Sequence, residues 1–395
     1  MTFQLSLEQS CAADAVSEWL KTRSKPYFYL GGFAGVGKTA LARHLSELQS
    51  GETRFMAYTG KAARVLERKG CPATTIHQMI YMPLGEINDE ISQLEKELAA
   101  EPKPTPARER KILNRLTELR EPRFTLRTNN PFKGVSLLVL DESSMVSDDC
   151  ARDLLSFNIP ILVLGDPGQL PPIKGSGFFT RQKPDFMLEE IHRQVADSPI
   201  LKLATAARRG DAIRQGTYGS CKVIGRSKFG TDEILSVDQA ICGTHKTRIA
   251  FNAMAREAKH FEGTFPCEGE RLICLRNNAK TRVLNGEIYE ALNAYDETTK
   301  EITLRDEDGH ERVLKVYPEC FTDPDLLKSW AFSKRSMREE LDYAYAITCH
   351  KAQGSQWESV AIYADMYRWA AAREDYKKWL YTAITRASDR LILAL

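Results

Sequence analysis

No two of the nine cysteines form a C-x-x-C pair; they lie scattered at Cys11, Cys71, Cys150, Cys221, Cys242, Cys267, Cys274, Cys320 and Cys349. Zinc sites need closely spaced ligand pairs, and disulfide frameworks belong to short secreted chains. Neither organises this sequence. The expectation is small, buried thiols in a reducing compartment. Long apolar runs are also missing. None approaches the roughly 20 residues of a membrane-spanning helix. Met1 to Gln9 lacks the basic-then-apolar pattern of a secretory leader, so a cytoplasmic setting with no membrane partner is expected. Charge of one sign is missing too. There are 55 Lys and Arg against 53 Asp and Glu, a net charge of +2. Any surface for nucleic acid must therefore be local.

What remains is an ordinary globular composition, 43% hydrophobic and 27% charged, over 395 residues. That length predicts two large domains, or two with insertions. Gly32-Phe-Ala-Gly-Val-Gly-Lys-Thr39 fits G-x-x-x-x-G-K-[ST]. An apolar, aromatic strand (Tyr27 to Leu30) precedes it, and a helix from Thr39 to Leu48 follows, with Leu41, Leu45 and Leu48 on one face. Strand, glycine loop and helix are the context a phosphate-binding loop requires. Glycines let backbone N–H groups approach phosphate, and the helix N-terminus adds positive dipole. Gly32, Ala34, Gly35, Val36, Gly37, Lys38, Thr39 and Ala40 are the candidate ATP contacts. Lys38 reaches the β- and γ-phosphates, and the Thr39 hydroxyl is a Mg²⁺ ligand.

Ser136 to Leu140 reads as a buried central strand ending in Asp141-Glu142-Ser143-Ser144. Carboxylates at the C-terminal end of a parallel strand project to the sheet edge where ligands bind. Asp141 is expected to hold Mg²⁺ through water, and Glu142 to orient or deprotonate the attacking water. Taken alone, Asp141 or Ser143 reads equally well as a helix cap. A neighbouring strand, Ile161 to Leu164, leads into Gly165-Asp-Pro-Gly-Gln-Leu-Pro-Pro172. This loop delivers Gln169 towards the γ-phosphate, and Gly-Asp-Pro-Gly is also strong turn chemistry.

With these motifs in place, the chain resembles a superfamily 1 DNA helicase of the RecD/Dda type over nearly its whole length. The other motifs follow in that family's order. Gln9 resembles the adenine-reading glutamine, and Thr59-Gly-Lys-Ala-Ala63 and Thr74-Thr-Ile-His77 resemble DNA-contacting motifs. Ile191-His-Arg-Gln194 carries Arg193 as a phosphate-sensing arginine. Thr348-Cys-His-Lys-Ala-Gln-Gly-Ser-Gln-Trp357 and Tyr381-Thr-Ala-Ile-Thr-Arg386 resemble the last two motifs, with Arg386 as an arginine finger. The resemblance implies DNA contacts at Thr59, Lys61, Thr75, His77, Thr348 and His350. It implies that Gly354 and Glu358 face the nucleotide or couple it to DNA. It also implies ATP and Mg²⁺ as cofactors, single-stranded DNA and duplex junctions as partners, monomeric action, and a bacterial or phage-infected cell.

Physical reasoning supports a two-domain arrangement. A phosphate loop with an Asp-Glu pair hydrolyses ATP slowly, and an arginine that neutralises the transferred phosphoryl adds on the order of 10³–10⁵ in rate. Arg386, on a helix spanning Trp379 to Ser388 before a strand at Arg390 to Leu395, supplies it from a second α/β domain. Arg193 precedes another helix, begun by Ser198-Pro199. That second domain shows a strand at Ala240 to Gly243, a helix at Thr247 to Phe261 marked by Ile249, Ala253, Arg256 and His260, and a strand at Ser359 to Tyr363.

The expected fold is α/β: two RecA-like parallel-sheet domains of the P-loop NTPase kind. Residues 1–82 and 134–184 form the first, and 185–268 and 343–395 the second. Two insertions interrupt them. In residues 83–133, Ile87, Ile91, Leu94 and Leu98, then Ile112, Leu116 and Leu119, give two helical stripes separated by Pro102, Pro104 and Pro106, with an extended piece at Phe124 to Arg127. Nine Lys and Arg against three acids between Lys103 and Lys133 suit phosphate contacts, and equally suit a solvated helix face. In residues 269–342, short strands separated by Asn277-Asn278, Asn285-Gly286 and Asp308-Gly309 fit a small antiparallel barrel. The resemblance makes this an SH3-like module. Trp330 and Phe332 read either as base-stacking residues or as core.

The sequence therefore points to an ATP-dependent DNA translocase and helicase moving 5′→3′. An RNA-directed superfamily 1 helicase and a RecA-type DNA-binding ATPase without unwinding are the alternatives. Polarity and the choice of DNA come from the resemblance alone.

Overall fold

The Tyr27–Gly32 strand is buried along all but its first residue, as a strand covered on both faces must be. It lies inside a six-stranded sheet ordered Ala73–Thr75, Glu52–Ala57, Val135–Asp141, Ile161–Gly165, Tyr27–Gly32, Phe186–Leu188. Every pairing is parallel. A parallel sheet needs crossover connections, and helices cover the face they return across. Leu41 and Leu45 of the Lys38–Leu48 helix and Val16 and Trp19 of the Leu7–Thr22 helix pack against Leu30, Val139 and Leu164. Each such fully buried side chain contributes roughly 1.5–3 kcal/mol. Ser6 and Gln9 close a capping box at the start of the first helix.

A second six-stranded sheet is ordered Ala346–Thr348, Gln239–Cys242, Trp357–Tyr363, Ala387–Ala394, Cys221–Ile224, Gly216–Tyr218. It is parallel except for the Gly216–Tyr218 edge, which pairs antiparallel through a tight turn. The Arg373–Ile384 helix buries Trp379 completely, and the Pro199–Arg209 helix starts with Ser198 as cap and Pro199 in its first turn.

This is a computed structural model that describes residues 5–83, 93–94, 96–98, 105–120, 124–127, 129–171, 177–190, 197–278, 281, 283–330, 332–335, 337–366 and 373–395. Both parallel sheets belong to one compact unit, Met1–Met79, Asn130–Phe261 and Ala344–Leu395. Among the described residues no helix is long and apolar enough to cross a membrane.

The other unit comprises Ile80–Asn129 and Glu262–Tyr343. It holds a five-stranded antiparallel sheet ordered Glu311–Lys315, Glu301–Asp306, Ile288–Ala291, Arg271–Cys274, Leu341–Tyr343. Four of these strands follow the alternation in the sequence; the fifth, Leu341–Tyr343, does not, being three residues long. Trp330 is core rather than a free stacking surface. Its ring lies edge-on to Tyr317 at 5.3 Å, with Lys334 over it at 3.5 Å. The ring of Phe332 falls outside the described side chains. In the same unit Tyr81–Pro83 and Phe124–Leu126 form a two-stranded antiparallel ribbon. The Pro106–Arg120 helix buries Ile112 and Leu116 against Leu94 and Leu98. Pro106 thus opens the second helix rather than stopping the first, since a first-turn residue has no helical acceptor for its N–H. Ile87, Ile91, Pro102 and Pro104 lie outside the described residues, and Leu119 outside the described side chains.

Three other expectations change. Leu48 ends its helix and is 67% exposed, unlike Leu41 and Leu45. Ile249 is 59% exposed, and the His245–Ala258 helix instead buries Phe251, Asn252 and Ala255. Its selector is a hydrogen-bonding residue: the Asn252 amide accepts from Ala346 N–H at 2.8 Å and donates to Ala346 O at 3.2 Å. Finally, the helix before the last strand ends at Ile384, so Arg386 sits in the turn that follows, not on the helix.

Candidate active site: a phosphate-loop cleft

The loop between the Tyr27–Gly32 strand and the Lys38–Leu48 helix turns through Gly35 and Gly37, at φ +84° and +82°, where a β-carbon is unfavourable. Ala34, Gly35, Gly37, Lys38, Thr39 and Ala40 line a cleft of about 540 Å³. Gly32 and Val36 lie beneath it: Val36 is 1% exposed, and a β-carbon on Gly32 would meet Val36 Cγ2 at 2.7 Å. The Lys38 ammonium donates to Gly32 O at 2.7 Å and Phe33 O at 3.1 Å, which folds it back over the loop.

Asp141 and Glu142 enter the same cleft from the C-terminal end of the Val135–Asp141 strand. Thr39 Oγ1 donates to Asp141 Oδ2 at 2.8 Å, bringing together the two residues named as metal ligands. Asp141 Oδ1 accepts the Glu142 N–H at 2.8 Å, and Glu142 stands in the left-handed region at φ +51°. For a non-glycine residue that costs roughly 1–2 kcal/mol. Burial pushes the Glu142 carboxyl upward, Arg386 opposes the shift, and Asp141 adds to it; the net direction is up. Such a group takes a proton more readily than an exposed carboxylate.

The loop after the Ile161–Gly165 strand brings in Asp166 and Gln169. Gln169 is 8% exposed, and its Oε1 is buried without a hydrogen-bond partner. From the second sheet come Gly354, Ser355, Gln356, Thr385 and Arg386. Gly354, at φ +75°, packs against Thr59 and Ala62, where a β-carbon would lie 3.1 Å from Ala62 Cβ. Arg386 is 5% exposed and tethered within its own sheet's elements: Nε to Thr382 O at 3.0 Å, Nη1 to Ser355 O at 3.1 Å, Nη2 to Thr385 Oγ1 at 3.2 Å.

Besides Gly32 and Val36, two described residues expected at the nucleotide do not line the cleft. Glu358 is exposed on the Trp357–Tyr363 strand and does not line the cleft; Gln356, two positions earlier, does. Trp357 is buried, and strand alternation turns its successor outward. Gln9 is not a lining residue but supports the loop from below, its Nε2 donating to Val36 O at 3.1 Å. Arg193 lies outside the described residues.

The residues named for DNA lie outside the cleft, at strand ends of both sheets. Thr59 caps the Gly60–Arg68 helix, and Lys61 sits over the Trp357 ring at 4.9 Å. Thr75 Oγ1 accepts from Gln78 N–H at 3.2 Å, and His77 lies edge-on to Tyr58 at 5.5 Å. Thr348 precedes the Cys349–Ala352 helix, with His350 in it. Burial lowers the pKa of both histidines, with His245 adding to the effect at His350, so both favour the neutral form. Another threonine lies at a strand end of the second sheet. Thr244 caps the His245–Ala258 helix, and its hydroxyl donates to Asp365 Oδ2 at 2.8 Å.

Thr39 and Asp141, hydrogen-bonded to each other beside Lys38, fit a hydrated Mg²⁺ held against phosphate. The two left-handed glycines of the loop fit a phosphate-bearing ligand, and the orphaned Gln169 Oε1 offers an acceptor to a bound water beside it. A glycine loop, a helix N-terminus, a Thr-Asp pair and an acid turned towards an arginine define a nucleoside triphosphate site on a P-loop fold.

Comparison with known proteins agrees. Residues 4–224 match the family described as AAA domain, and residues 343–394 match the UvrD-like helicase C-terminal domain. The first match spans more than half of the chain, and the chain belongs to that AAA domain family. An ATP-dependent RecD2 DNA helicase of Deinococcus radiodurans is 24% identical over 404 residues, which covers 92% of this chain and 46% of that protein. The chain thus spans about half the length of that relative. Among solved structures, two coordinating Pif1 helicases at forked duplex DNA give a TM-score of 0.57 at 18% identity, over 100% of this chain and 92% of theirs. A Bacteroides Pif1 helicase with ADP-AlF3 and single-stranded DNA gives 0.54 at 16%, over 99% and 92%. At those identities the likeness is one of fold. Together the matches bear out the resemblance to superfamily 1 helicases of the RecD type.

Proposed function

We propose that this chain is an ATP-dependent DNA translocase and helicase that moves 5′→3′ on single-stranded DNA and separates duplex ahead of it. The observation that carries this reading is Arg386. It reaches the phosphate-loop cleft from the second sheet, so the chemistry needs both sheets at once. The RecD2 relative is named an ATP-dependent DNA helicase, and a Pif1 neighbour was solved with single-stranded DNA.

Thr39 and Asp141 would hold Mg²⁺, which when bound neutralises charge on the phosphate oxygens. Lys38 leaves its loop carbonyls for the β- and γ-phosphates. Glu142 orients the attacking water and accepts its proton. Gln169 presents its amide to the terminal phosphate. Arg386 exchanges carbonyl partners for the developing negative charge, which links closure of the two sheets to ATP. Thr59, Lys61, Thr75 and His77 on one sheet, and Thr348, His350 and Thr244 on the other, supply two alternating grips on the strand. Under this reading residues 1–82 with 134–184, and 185–268 with 343–395, are the two motor domains. Residues 83–133 and 269–342 are insertions, the latter SH3-like. The chain works as a monomer at single-strand–duplex junctions.

ATP turnover measured with no nucleic acid, with single-stranded DNA and with single-stranded RNA tests this. The expected result is strong stimulation by DNA and little by RNA. Equal or greater stimulation by RNA would move the assignment to an RNA helicase.

A further inference from the structure

A hydroxyl from the second sheet's Arg373–Ile384 helix holds the phosphate loop. Tyr381 Oη accepts the Ala34 N–H at 2.8 Å and donates to Asp166 Oδ2 at 2.6 Å. Tyr381 is 2% exposed and Asp166 3%. A phenol has one proton to give, and here it goes to the carboxylate, leaving lone pairs for the amide. Burial and then Asp166 raise the Tyr381 pKa, so the hydroxyl keeps that proton.

The bonds around this hydroxyl tie the next loop down as well. Asp166 Oδ1 accepts the Gly168 N–H at 2.9 Å. Thr382 Oγ1, one residue after Tyr381, accepts the Leu170 N–H at 2.9 Å, and Gln353 Nε2 donates to Leu170 O at 2.9 Å. Gln169 sits between those two anchored residues. A β-carbon on Gly168 would lie 3.0 Å from Tyr381 Cε1, so the approach is close. Five residues after Tyr381 the same segment presents Arg386 to the cleft. Ala34, Asp166, Gln169 and Arg386 all line that cleft.

We propose that Tyr381 is a positioning residue for phosphoryl transfer: its hydroxyl sets Arg386 and Gln169 in register with the phosphate loop. This rests on the ATP reading given above. The ring and the hydroxyl have separable roles. The ring packs edge-on to Phe33 at 6.5 Å, and Arg208 stacks on the other partner of that pair, 3.5 Å from the Phe33 ring. Tyr381→Phe keeps this packing and removes both hydroxyl bonds. A structural role predicts lost stability; a positioning role predicts lost turnover with binding retained.

The test uses the full chain with saturating single-stranded DNA. Tyr381→Phe is expected to lower kcat for ATP by about tenfold or more, the equivalent of one well-placed hydrogen bond. The KM for ATP and the affinity for a fluorescent ADP analogue are expected to stay within about threefold. Asp166→Asn keeps an acceptor for Gly168 and is expected to give a similar loss. The double variant is expected to lose no more than either single variant, because one linkage is broken in all three. Wild-type kcat in both single variants, or losses that multiply in the double variant, would overturn the proposal. Lys38→Ala in the same assay separates the two claims. If wild type turns over ATP and Lys38→Ala does not, the ATP reading stands whatever Tyr381→Phe does; if wild type shows no turnover, both claims fall.

Discussion

Thr39 Oγ1 donates to Asp141 Oδ2 at 2.8 Å across 102 residues of sequence. Each residue belongs to a separate strand-loop unit, and the sheet order brings them together. The Val135–Asp141 strand lies one strand away from Tyr27–Gly32, with Ile161–Gly165 between. All three run parallel, so their C-terminal loops open on the same edge, where a phosphate and a cation need their ligands.

Lys38→Ala removes the ammonium next to this pair. ATP hydrolysis is expected to fall by at least about 10²–10³-fold, the usual cost of losing a preorganised charge donor. Circular dichroism and the thermal midpoint should be unchanged, since among the described residues the Lys38 ammonium bonds only the Gly32 and Phe33 carbonyls. Near-normal turnover in a folded Lys38→Ala protein would overturn the site.

Glu142→Gln changes the acid that faces Arg386 and leaves the Thr39–Asp141 pair in place. Mg-ATP binding should persist and turnover should be lost. Equilibrium binding of a fluorescent nucleotide alongside steady-state hydrolysis checks this. A loss of binding as large as that of Lys38→Ala would make Glu142 a structural residue.

Arg386→Ala removes the one described arginine that reaches the cleft from the second sheet and is buried there, 5% exposed. DNA-stimulated hydrolysis should slow by at least about 10²-fold. Nucleotide affinity should fall far less, because the guanidinium bonds Thr382 O, Ser355 O and Thr385 Oγ1 before it is recruited. Single-turnover rates decide the matter, and a normal rate would remove the arginine from the chemistry.

Asn252→Ala tests the packing of the second sheet. The amide satisfies both backbone groups of Ala346, and the residue is 4% exposed. Leaving two buried backbone groups unpaired is expected to cost about 2–4 kcal/mol in denaturant unfolding. A change within about 0.5 kcal/mol would show that the helix is held by its apolar contacts alone.

Much of this site was legible in the sequence, for a physical reason. A phosphate loop and an Asp-Glu pair after an apolar strand are local signals, because a single turn fixes the position of every group involved. Lys38, Thr39, Asp141, Glu142, Gln169 and Arg386 all reach one cleft. Signals that depend on partners in another element were harder to read. The motif points to Glu358, yet Gln356 lines the cleft: it belongs to the loop before the Trp357–Tyr363 strand, whereas Glu358 is already carried away along that strand. The helix ends at Ile384, two residues before Arg386: Thr385 N–H still bonds Tyr381 O at 3.0 Å, while Arg386 N–H bonds Ala383 O at 3.1 Å in a tightened last turn, and no glycine or proline in the sequence marks that end. Ile249 outranked Asn252 on hydrophobic period, yet Asn252 is buried because it pairs with a strand edge. The strand Leu341–Tyr343 is too short for alternation to register. Tyr381 stood in a quoted motif, but its role depends on Ala34 and Asp166, hundreds of residues away.

If ATP hydrolysis at this cleft drives directional strand separation, unwinding depends on the polarity of the single-stranded tail. The most direct measurement is ATP-dependent unwinding, by the full chain, of a duplex carrying a 5′ single-stranded tail, compared with the same duplex carrying a 3′ tail. The labelled strand is expected to be released from the 5′-tailed substrate, with little release from the 3′-tailed one and none in Lys38→Ala. Unwinding from the 3′ tail, or DNA-stimulated hydrolysis with no strand release from either, would contradict it.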